Sequence, residues 1–179
     1  MDTARRTDNV RIREWTPEDF PDFQRIMWET WVATYGSFIP ESDLREYFSK
    51  QYSLEALEEL YHRPAVEGFI ADMDGEPAGC ARTQYNESER RAYVSSLYVL
   101  PGFQGQGVGT RLLRRCEEFA LRHGVNEVWL GVMEQNLDAV GWYKRIGFTF
   151  VEEAPFTIGL TTVNHCIGYR SVLQGTSAP

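Results

Sequence analysis

The sequence predicts an α/β fold in which one mixed β-sheet carries helices on both faces. Short runs rich in Val, Ile and Tyr, typical of strands, alternate with longer runs whose apolar residues recur at helical spacing. The elements follow the order β-α-α-β-β-β-α-β-α-β-β, which differs from the uniform series of a fully parallel sheet. No repeat or interdomain linker interrupts the 179 residues, which fit one domain with a sizeable core.

The N-terminal half predicts one strand, two helical regions and a hairpin. Apolar and polar residues alternate over 10–15, which indicates the first strand. Thr16 and Pro17 are typical of a helix start, and this helix extends to about residue 34. A second helical region with a break near Ser53 spans 41–61. The hairpin joins strands 66–73 and 76–84 through Asp74-Gly75, a pair typical of type I′ turns.

The C-terminal half predicts alternating strands and helices. A glycine follows each of its two helices, as is typical of helix C-termini. The predicted elements are strands at 92–100, 126–133 and 148–152, helices at 107–123 and 136–146, and a final strand region at 157–160 and 164–173.

The predicted single domain spans 10–173, between a polar, flexible N-terminus at 1–9 and a tail at 174–179. The N-terminus lacks the apolar segment of a secretory signal, and no run of about 18 apolar residues indicates a membrane span. We therefore expect a cytoplasmic protein with no membrane partner.

The cysteines and the net charge exclude several classes of protein. Three scattered cysteines predict neither a disulfide framework nor a zinc site, and we expect no metal. Cys116 lies on an apolar helix face, so we expect a core residue, with a cysteine nucleophile as the alternative. The net charge of −8 argues against a nucleic-acid partner. It serves solubility, or alternatively attracts a cationic acceptor.

A glycine-rich turn between a predicted strand and a predicted helix marks the candidate binding site. Gly105, Gly107 and Gly109 alternate through this turn, and glycine permits positive φ and close approach of another molecule. A helix start offers unpaired N–H groups and the positive end of its dipole to an anion. The spacing completes neither a P-loop nor a Rossmann motif. We infer a phosphate or pyrophosphate ligand, with a ligand-free connection as the alternative.

Two sequence blocks resemble the signatures of the GNAT superfamily of acyl-CoA N-acyltransferases. The first is Q-x-x-G-x-G at 104–109, preceded by the strand residues 97–99. The second comprises 129–136 and 143–148, and the whole resemblance covers roughly 10–153. It implies two central strands that splay apart to form an acyl-CoA cleft. It also implies acetyl-CoA as co-substrate and transfer of the acetyl group to an amine by direct attack.

The resemblance further implies which residues contact acetyl-CoA. Backbone N–H groups of the strand would polarise the thioester carbonyl and pair with the pantetheine arm, and amides of the loop would hold the pyrophosphate. Most loops of this family carry a basic residue where this chain has Gln104 or Gln106, so Arg111 becomes a candidate supporting cation. The assigned residues are Leu97, Tyr98, Val99, Gln104, Gly105, Gln106, Gly107, Val108, Gly109, Thr110 and Asn136.

The resemblance also identifies Tyr143 as the general acid that protonates the leaving thiolate. Two helical turns separate it from Asn136, so both side chains can face one cleft. Core packing is the alternative for Tyr143, and a helix N-cap is the alternative for Asn136. A glutamate used as base by some members falls on Gly131 here. We therefore select Glu29 as the candidate base.

Other residues remain open for the base, and an aromatic-rich helix predicts the acceptor pocket. The alternative bases are Glu134, Tyr98 and a water chain that ends at a carboxylate. His165, in the final strand region, is a candidate for reaching the acceptor pocket, with a structural role as the alternative. Trp31 and Tyr35 are candidate walls of the acceptor pocket, with core packing as the alternative.

The sequence as a whole predicts an acetyl-CoA-dependent N-acetyltransferase that acts on a primary amine of a small molecule. The Trp- and Tyr-rich first helix is similar to that of PaiA-like polyamine acetyltransferases, so the acceptor is expected to be polyamine-like. The alternatives are a protein N-terminal or lysine acetyltransferase and a non-catalytic acyl-CoA-binding regulatory module. Exposed edge strands near the C-terminus make a homodimer a further hypothesis.

Overall fold

A central seven-stranded sheet with five helices forms the part of the chain that the structure, a computed structural model, describes: residues 10–172. The flexible N-terminus at 1–9 and the tail at 174–179, both predicted from sequence, lie outside these residues. The strands are β1 (Val10–Glu14), β2 (Val66–Met73), β3 (Glu76–Asn86), β4 (Arg91–Val99), β5 (Glu127–Met133), β6 (Thr149–Ile158) and β7 (Thr161–Ser171). The helices are α1 (Phe20–Tyr35), α2 (Glu41–Gln51), α3 (Leu54–Tyr61), α4 (Val108–Arg122) and α5 (Leu137–Arg145).

The observed element order agrees with the predicted α/β class and differs at two places. The helical region 41–61 counts as two helices in the observed order, and it divides at the predicted break, where the Ser53 hydroxyl accepts the Ala56 N–H (3.1 Å) and begins α3. Near the C-terminus, β6 extends to Ile158. The segment 157–160 therefore ends β6 and turns into β7 through Gly159, whose φ is +58°, instead of beginning the final strand.

The sheet is mixed, with strand order β1-β2-β3-β4-β5-β7-β6, and carries helices on both faces as predicted. Helices α4 and α5 cover one face, and α1, α2 and α3 cover the other. On the second face, Gly68 of β2 lets Trp15 lie directly against the strand. A Cβ at Gly68 would come within 2.1 Å of the Trp15 ring.

The parallel strands β4 and β5 separate in the middle of the sheet, which confirms the predicted splay. They pair only at Ala92–Val128 and Tyr93–Trp129. Beyond these pairs, β4 continues to pair with β3, and β5 continues to pair with β7. Each strand therefore has one unpaired edge that faces the gap between them.

The outer strands of the sheet are β1 and β6. Strand β6 is largely exposed, and Val151 presents 55% of its surface to solvent. The homodimer through such an edge stays a prediction. Among residues 10–172, no helix combines the length and the hydropathy needed to cross a bilayer.

Candidate active site

A cleft of about 1480 Å³ occupies the gap between β4 and β5 and extends towards α1 and α5. Pockets for a single small ligand typically hold about 300–1,000 Å³, so this cleft has room for two substrates side by side. It brings together most of the site residues expected from sequence. These are Trp31, Tyr35, Leu97, Tyr98, Val99, Gln104, Gly105, Gly107, Val108, Gly109, Thr110, Asn136 and Tyr143.

The structure does not bring three expected residues to the cleft. Glu29 lies on the outer face of α1, where its carboxylate is 3.8 Å from the Arg25 guanidinium and 52% of its side chain is exposed. We therefore withdraw Glu29 as the candidate base. Gln106 turns back onto the Gly102 carbonyl (3.3 Å). Arg111 donates to the Val10 carbonyl (3.0 Å) and does not line the cleft.

The free edge of β4 presents backbone groups to the cleft. The Leu100 N–H donates to the Ala78 carbonyl in the hairpin partner (2.9 Å). Because N–H directions alternate along a strand, the N–H groups of Leu97 and Val99 point into the cleft. The Tyr98 N–H points to β3, which corrects its expected role as a donor to the thioester. Gln104 Nε2 donates to the Val99 carbonyl (3.0 Å), which shows the same direction.

The glycine loop has the conformation that its sequence predicts. Gly105 and Gly107 have φ of +73° and +81°, and nothing lies within 4 Å of a Cβ built at either residue. The Arg111 N–H donates to the Gly107 carbonyl (3.1 Å) in the first turn of α4. The preceding amides at 108–110 therefore have no helical partner and are available to an anion.

Tyr143 projects from α5 among Trp142 and Phe148, with ring centroids at 4.9 and 5.2 Å. Burial raises the pKa of Tyr143, so its hydroxyl stays protonated at neutral pH. Asn136 begins α5, and its side-chain oxygen accepts the Ala139 N–H (3.3 Å). Asn136 is thus the N-cap that was considered for it, and it also lines the cleft.

Tyr35 connects the first helix to Asn136 at the inner end of the cleft. Burial raises the pKa of Tyr35, while polar contacts with Tyr98 and Asn136 act in the opposite direction. The raised pKa keeps the Tyr35 hydroxyl neutral at the inner end of the cleft.

His165 occupies the space that a side chain at Gly131 would take. It lies opposite Met133 in the β5–β7 pairing, and its Nδ1 is 3.1 Å from a Cβ built at Gly131. The imidazole stacks on Phe156 (4.3 Å between centroids), and burial lowers its pKa. The sequence named His165 as a residue that could reach the acceptor pocket, and the structure places it in the cleft. The available signal for His165 was Gly131, since the resemblance places a glutamate base at this position in some members of the family.

Sequence reasoning missed Arg82 and Ser96, which line the cleft together with Trp31, the expected wall of the acceptor pocket; this part of the cleft is called the acceptor side. Arg82 and Ser96 are neighbours across the β3–β4 pairing. The available signal was a charged residue directly after the apolar run 78–81 in the middle of β3.

The cysteine thiols supply no nucleophile at this site. Cys116 is fully buried in the core beneath α4, as expected, and burial raises the pKa of its thiol. The negative net charge is also not concentrated in the cleft. Its charged lining residues are Arg82, Arg145, Glu89 and Asp138, two of each sign.

Comparison with known proteins agrees with this architecture. A model of the Acetyltransferase (GNAT) family matches residues 20–148. The uncharacterized N-acetyltransferase YuaI of Bacillus subtilis is 31% identical over 154 residues, which cover 83% of this chain and 86% of that relative. The thialysine N-epsilon-acetyltransferase of Bos taurus is 34% identical over 103 residues, which cover 53% of this chain and 59% of that enzyme.

A solved structure shows the same fold. The crystal structure of PaiA N-acetyltransferase from Thermoplasma acidophilum in complex with coenzyme A superposes with a TM-score of 0.78 at 21% identity. The match covers 90% of this chain and 98% of that chain. Because the family model spans well over half of the sequence, this chain belongs to the GNAT family of acetyltransferases, and it is an N-acetyltransferase that uses an acyl-CoA.

Proposed function

We propose that the protein transfers the acetyl group of acetyl-CoA to the primary amine of a small molecule by direct attack. The observation that carries this proposal is the splay of β4 from β5. It leaves the cleft-facing N–H groups of Leu97 and Val99 unpaired in a cleft that Tyr143 and His165 also line.

The chain offers acetyl-CoA a matched set of polar groups. The free amides at 108–110 and the open glycine loop would hold the pyrophosphate. Asn136 and the edge of β4 would hold the pantetheine arm. The N–H groups of Leu97 and Val99 would stabilise negative charge on the carbonyl oxygen as the amine attacks.

Two side chains on opposite faces of the sheet would move the protons. Tyr143 belongs to the core under α4, whereas His165 points to the side of Met133, under α1. His165 takes one proton from the incoming ammonium group and releases it to solvent. The free amine forms the C–N bond, the C–S bond breaks, and Tyr143 protonates the leaving sulfur. The tyrosinate then recovers a proton from the acetylated nitrogen.

This route predicts a pH dependence controlled by His165. Its neighbours Met133, Ala154 and Phe156 carry no charge, and burial alone lowers its pKa below the ordinary value of 6.5. The imidazole is therefore neutral at pH 7, and the rate should fall as the pH drops through this lowered pKa. His165→Gln should lower kcat/KM for the amine by about 10²-fold and remove the acidic limb of the pH profile.

The matched control for this profile is His62→Gln. His62 is exposed and pairs with Glu58 (3.0 Å) on α3, outside the cleft. This variant should keep the rate and the profile of the unmodified enzyme. An unchanged acidic limb in His165→Gln would remove His165 from the proton route.

A small acceptor is favoured over a protein because aromatic side chains of α1, of α2 and of Tyr52 at the end of α2 line the acceptor side of the cleft. Trp31 contacts Tyr47 and Tyr52 with ring centroids at 5.9 and 5.6 Å. The name of the bovine relative, thialysine N-epsilon-acetyltransferase, also indicates a small amine. Polyamine-like amines, protein N-termini and a non-catalytic role stay open to the following test.

Thiol release from acetyl-CoA, measured over polyamines, amino acids, aminoglycosides and N-terminal peptides, tests the proposed function. Calorimetric titration with coenzyme A measures cofactor binding separately. Gly107→Ala should weaken coenzyme A binding about 10-fold, because an alanine at φ of +81° is strained by about 1–2 kcal/mol. Gly102→Ala is the control, since Gly102 lies in the same loop without a positive φ.

The outcomes separate the candidate functions. Turnover of a small amine supports the proposal, and turnover of peptides alone would replace it with a protein acetyltransferase. Coenzyme A binding without turnover of any amine would favour the regulatory module. Equal affinities of the Gly107 and Gly102 variants would contradict the assignment of the glycine loop.

A further inference from the structure

Three buried polar atoms on the acceptor side of the cleft have no hydrogen-bond partner within residues 10–172. They are Trp31 Nε1, Arg82 Nε and Ser96 Oγ, and all three residues line the cleft. Trp31 and Ser96 are only 4% and 3% exposed. Trp31 Nε1 lies close enough to the Tyr98 hydroxyl to influence the pKa of Tyr98, but no well-aligned hydrogen bond satisfies the indole N–H. Buried polar groups are normally paired, so three orphans around one cavity point to a missing ligand.

The sheet and one tyrosine hold these groups on one side of the cleft. Arg82 of β3 and Ser96 of β4 are directly paired, so their side chains leave the same face of the sheet. The Arg82 guanidinium lies 5.8 Å from the ring centroid of Tyr52, and Tyr52 contacts Trp31 at 5.6 Å. Arg82 and Trp31 therefore both lie against Tyr52, and Ser96 is the neighbour of Arg82 on the same face of the sheet.

The Arg82 charge is not neutralised by the protein. Among the described residues, Arg82 takes part in no ion pair. Glu89, one of the two acids in the cleft, accepts the Tyr93 hydroxyl. The other, Asp138, lies in the first turn of α5. Arg82 also favours the ionised form of Tyr47, whose pKa burial raises to about 12. The acceptor side thus presents three donors without hydrogen-bond partners, and one of them, Arg82, is a cation without an ion-pair partner among the described residues.

We infer that the acceptor is a primary amine that also carries a carboxylate, which Arg82, Ser96 and Trp31 bind. A guanidinium matches the two oxygens of a carboxylate, and the hydroxyl and indole N–H can satisfy the remaining lone pairs. A polyamine has no acceptor for these donors, and its charges would be repelled by Arg82. This inference deepens the proposed function and rests on it.

Matched pairs of acceptors test the inference directly. The kcat/KM values of glycine and L-lysine are compared with those of glycinamide and L-lysinamide at saturating acetyl-CoA, with spermidine as the polyamine. We expect the better carboxylate to exceed its amide by about 10-fold or more. Arg82→Gln should lower kcat/KM for that carboxylate by about 30-fold, mainly through KM, with coenzyme A affinity retained.

Two further variants separate the effect of the Arg82 charge from that of its geometry and from the loss of any arginine. Arg82→Lys retains the charge but loses the planar fork, so it should rank between the native enzyme and Arg82→Gln. Arg25→Gln is the matched control, because Arg25 is an exposed arginine on α1 outside the cleft. Thermal unfolding of each variant shows whether it is folded.

Each result has a distinct meaning. Equal rates on acids and amides, or a preference for spermidine, would overturn the carboxylate inference while the proposed function stands. An Arg82→Gln variant that is folded and keeps its selectivity would also overturn it. If no amine is acetylated, the proposed function fails and the inference fails with it.

Discussion

Replacement of Tyr143 by phenylalanine is expected to lower kcat by about 10²- to 10³-fold, the usual contribution of a positioned general acid. The change removes only the hydroxyl, because the ring continues to pack against Trp142 and Phe148. Coenzyme A should bind with unchanged affinity, since the amides of the glycine loop and the edge of β4 are untouched. Thiol release under saturating substrates and calorimetric titration measure the two quantities.

Tyr169→Phe provides the comparison for this experiment. Tyr169 stacks on Trp129 at 4.9 Å and does not line the cleft, so its hydroxyl should not affect kcat. The role of Tyr143 as general acid would be rejected if Tyr143→Phe were as active as Tyr169→Phe. A loss of coenzyme A binding would instead indicate that the Tyr143 hydroxyl shapes the cleft.

Replacement of Gly68 by alanine should destabilise the fold by about 3 kcal/mol, as expected for overpacking in a well-filled core. The added Cβ would overlap the Trp15 ring, whose nearest atom is 2.1 Å away. Trp15 is 5% exposed and packs against Phe20 and Phe23, so it cannot move without displacing the start of α1.

Denaturant unfolding measures this loss. Gly102→Ala again serves as the control, because nothing lies within 4 Å of a Cβ at that position and its stability should not change. Trp15→Phe combined with Gly68→Ala should recover part of the loss, because a smaller ring leaves room for the methyl group. Wild-type stability of Gly68→Ala would show that Trp15 packs elsewhere.

Most of the fold could be predicted because its strands and helices end at turn residues and glycines that are recognisable in the sequence. The Asp74-Gly75 turn has positive φ at both residues, as the sequence predicts, and so do the glycines that end α4 and α5. The length of β6 could not be predicted in this way, because Pro155 argues against a strand. The strand tolerates Pro155 because β6 is the last strand of the sheet and pairs on one side only.

Only part of the candidate site could be predicted, because some of its residues belong to local sequence motifs and others do not. The loop and Tyr143 carry sequence signatures, whereas His165 and Arg82 reach the cleft through strand pairings between residues distant in sequence. The position of Glu29 outside the cleft follows from helix geometry, which sets it about 200° from Trp31. If Trp31 faces the sheet, Glu29 must face solvent.

Because β4 separates from β5, the enzyme without bound cofactor has unpaired strand edges in the middle of its sheet. The interior strands of a sheet normally have both edges hydrogen-bonded to neighbouring strands. Here the facing edges of β4 and β5 are unpaired in the middle of the sheet. Open edges are templates for pairing with other chains, and proteins usually shield them. Gln104, which donates to the Val99 carbonyl, supplies a partial shield from within the chain. A pantetheine arm along β4 would replace the missing neighbour, so cofactor supply in the cell would protect the folded protein as well as feed its reaction.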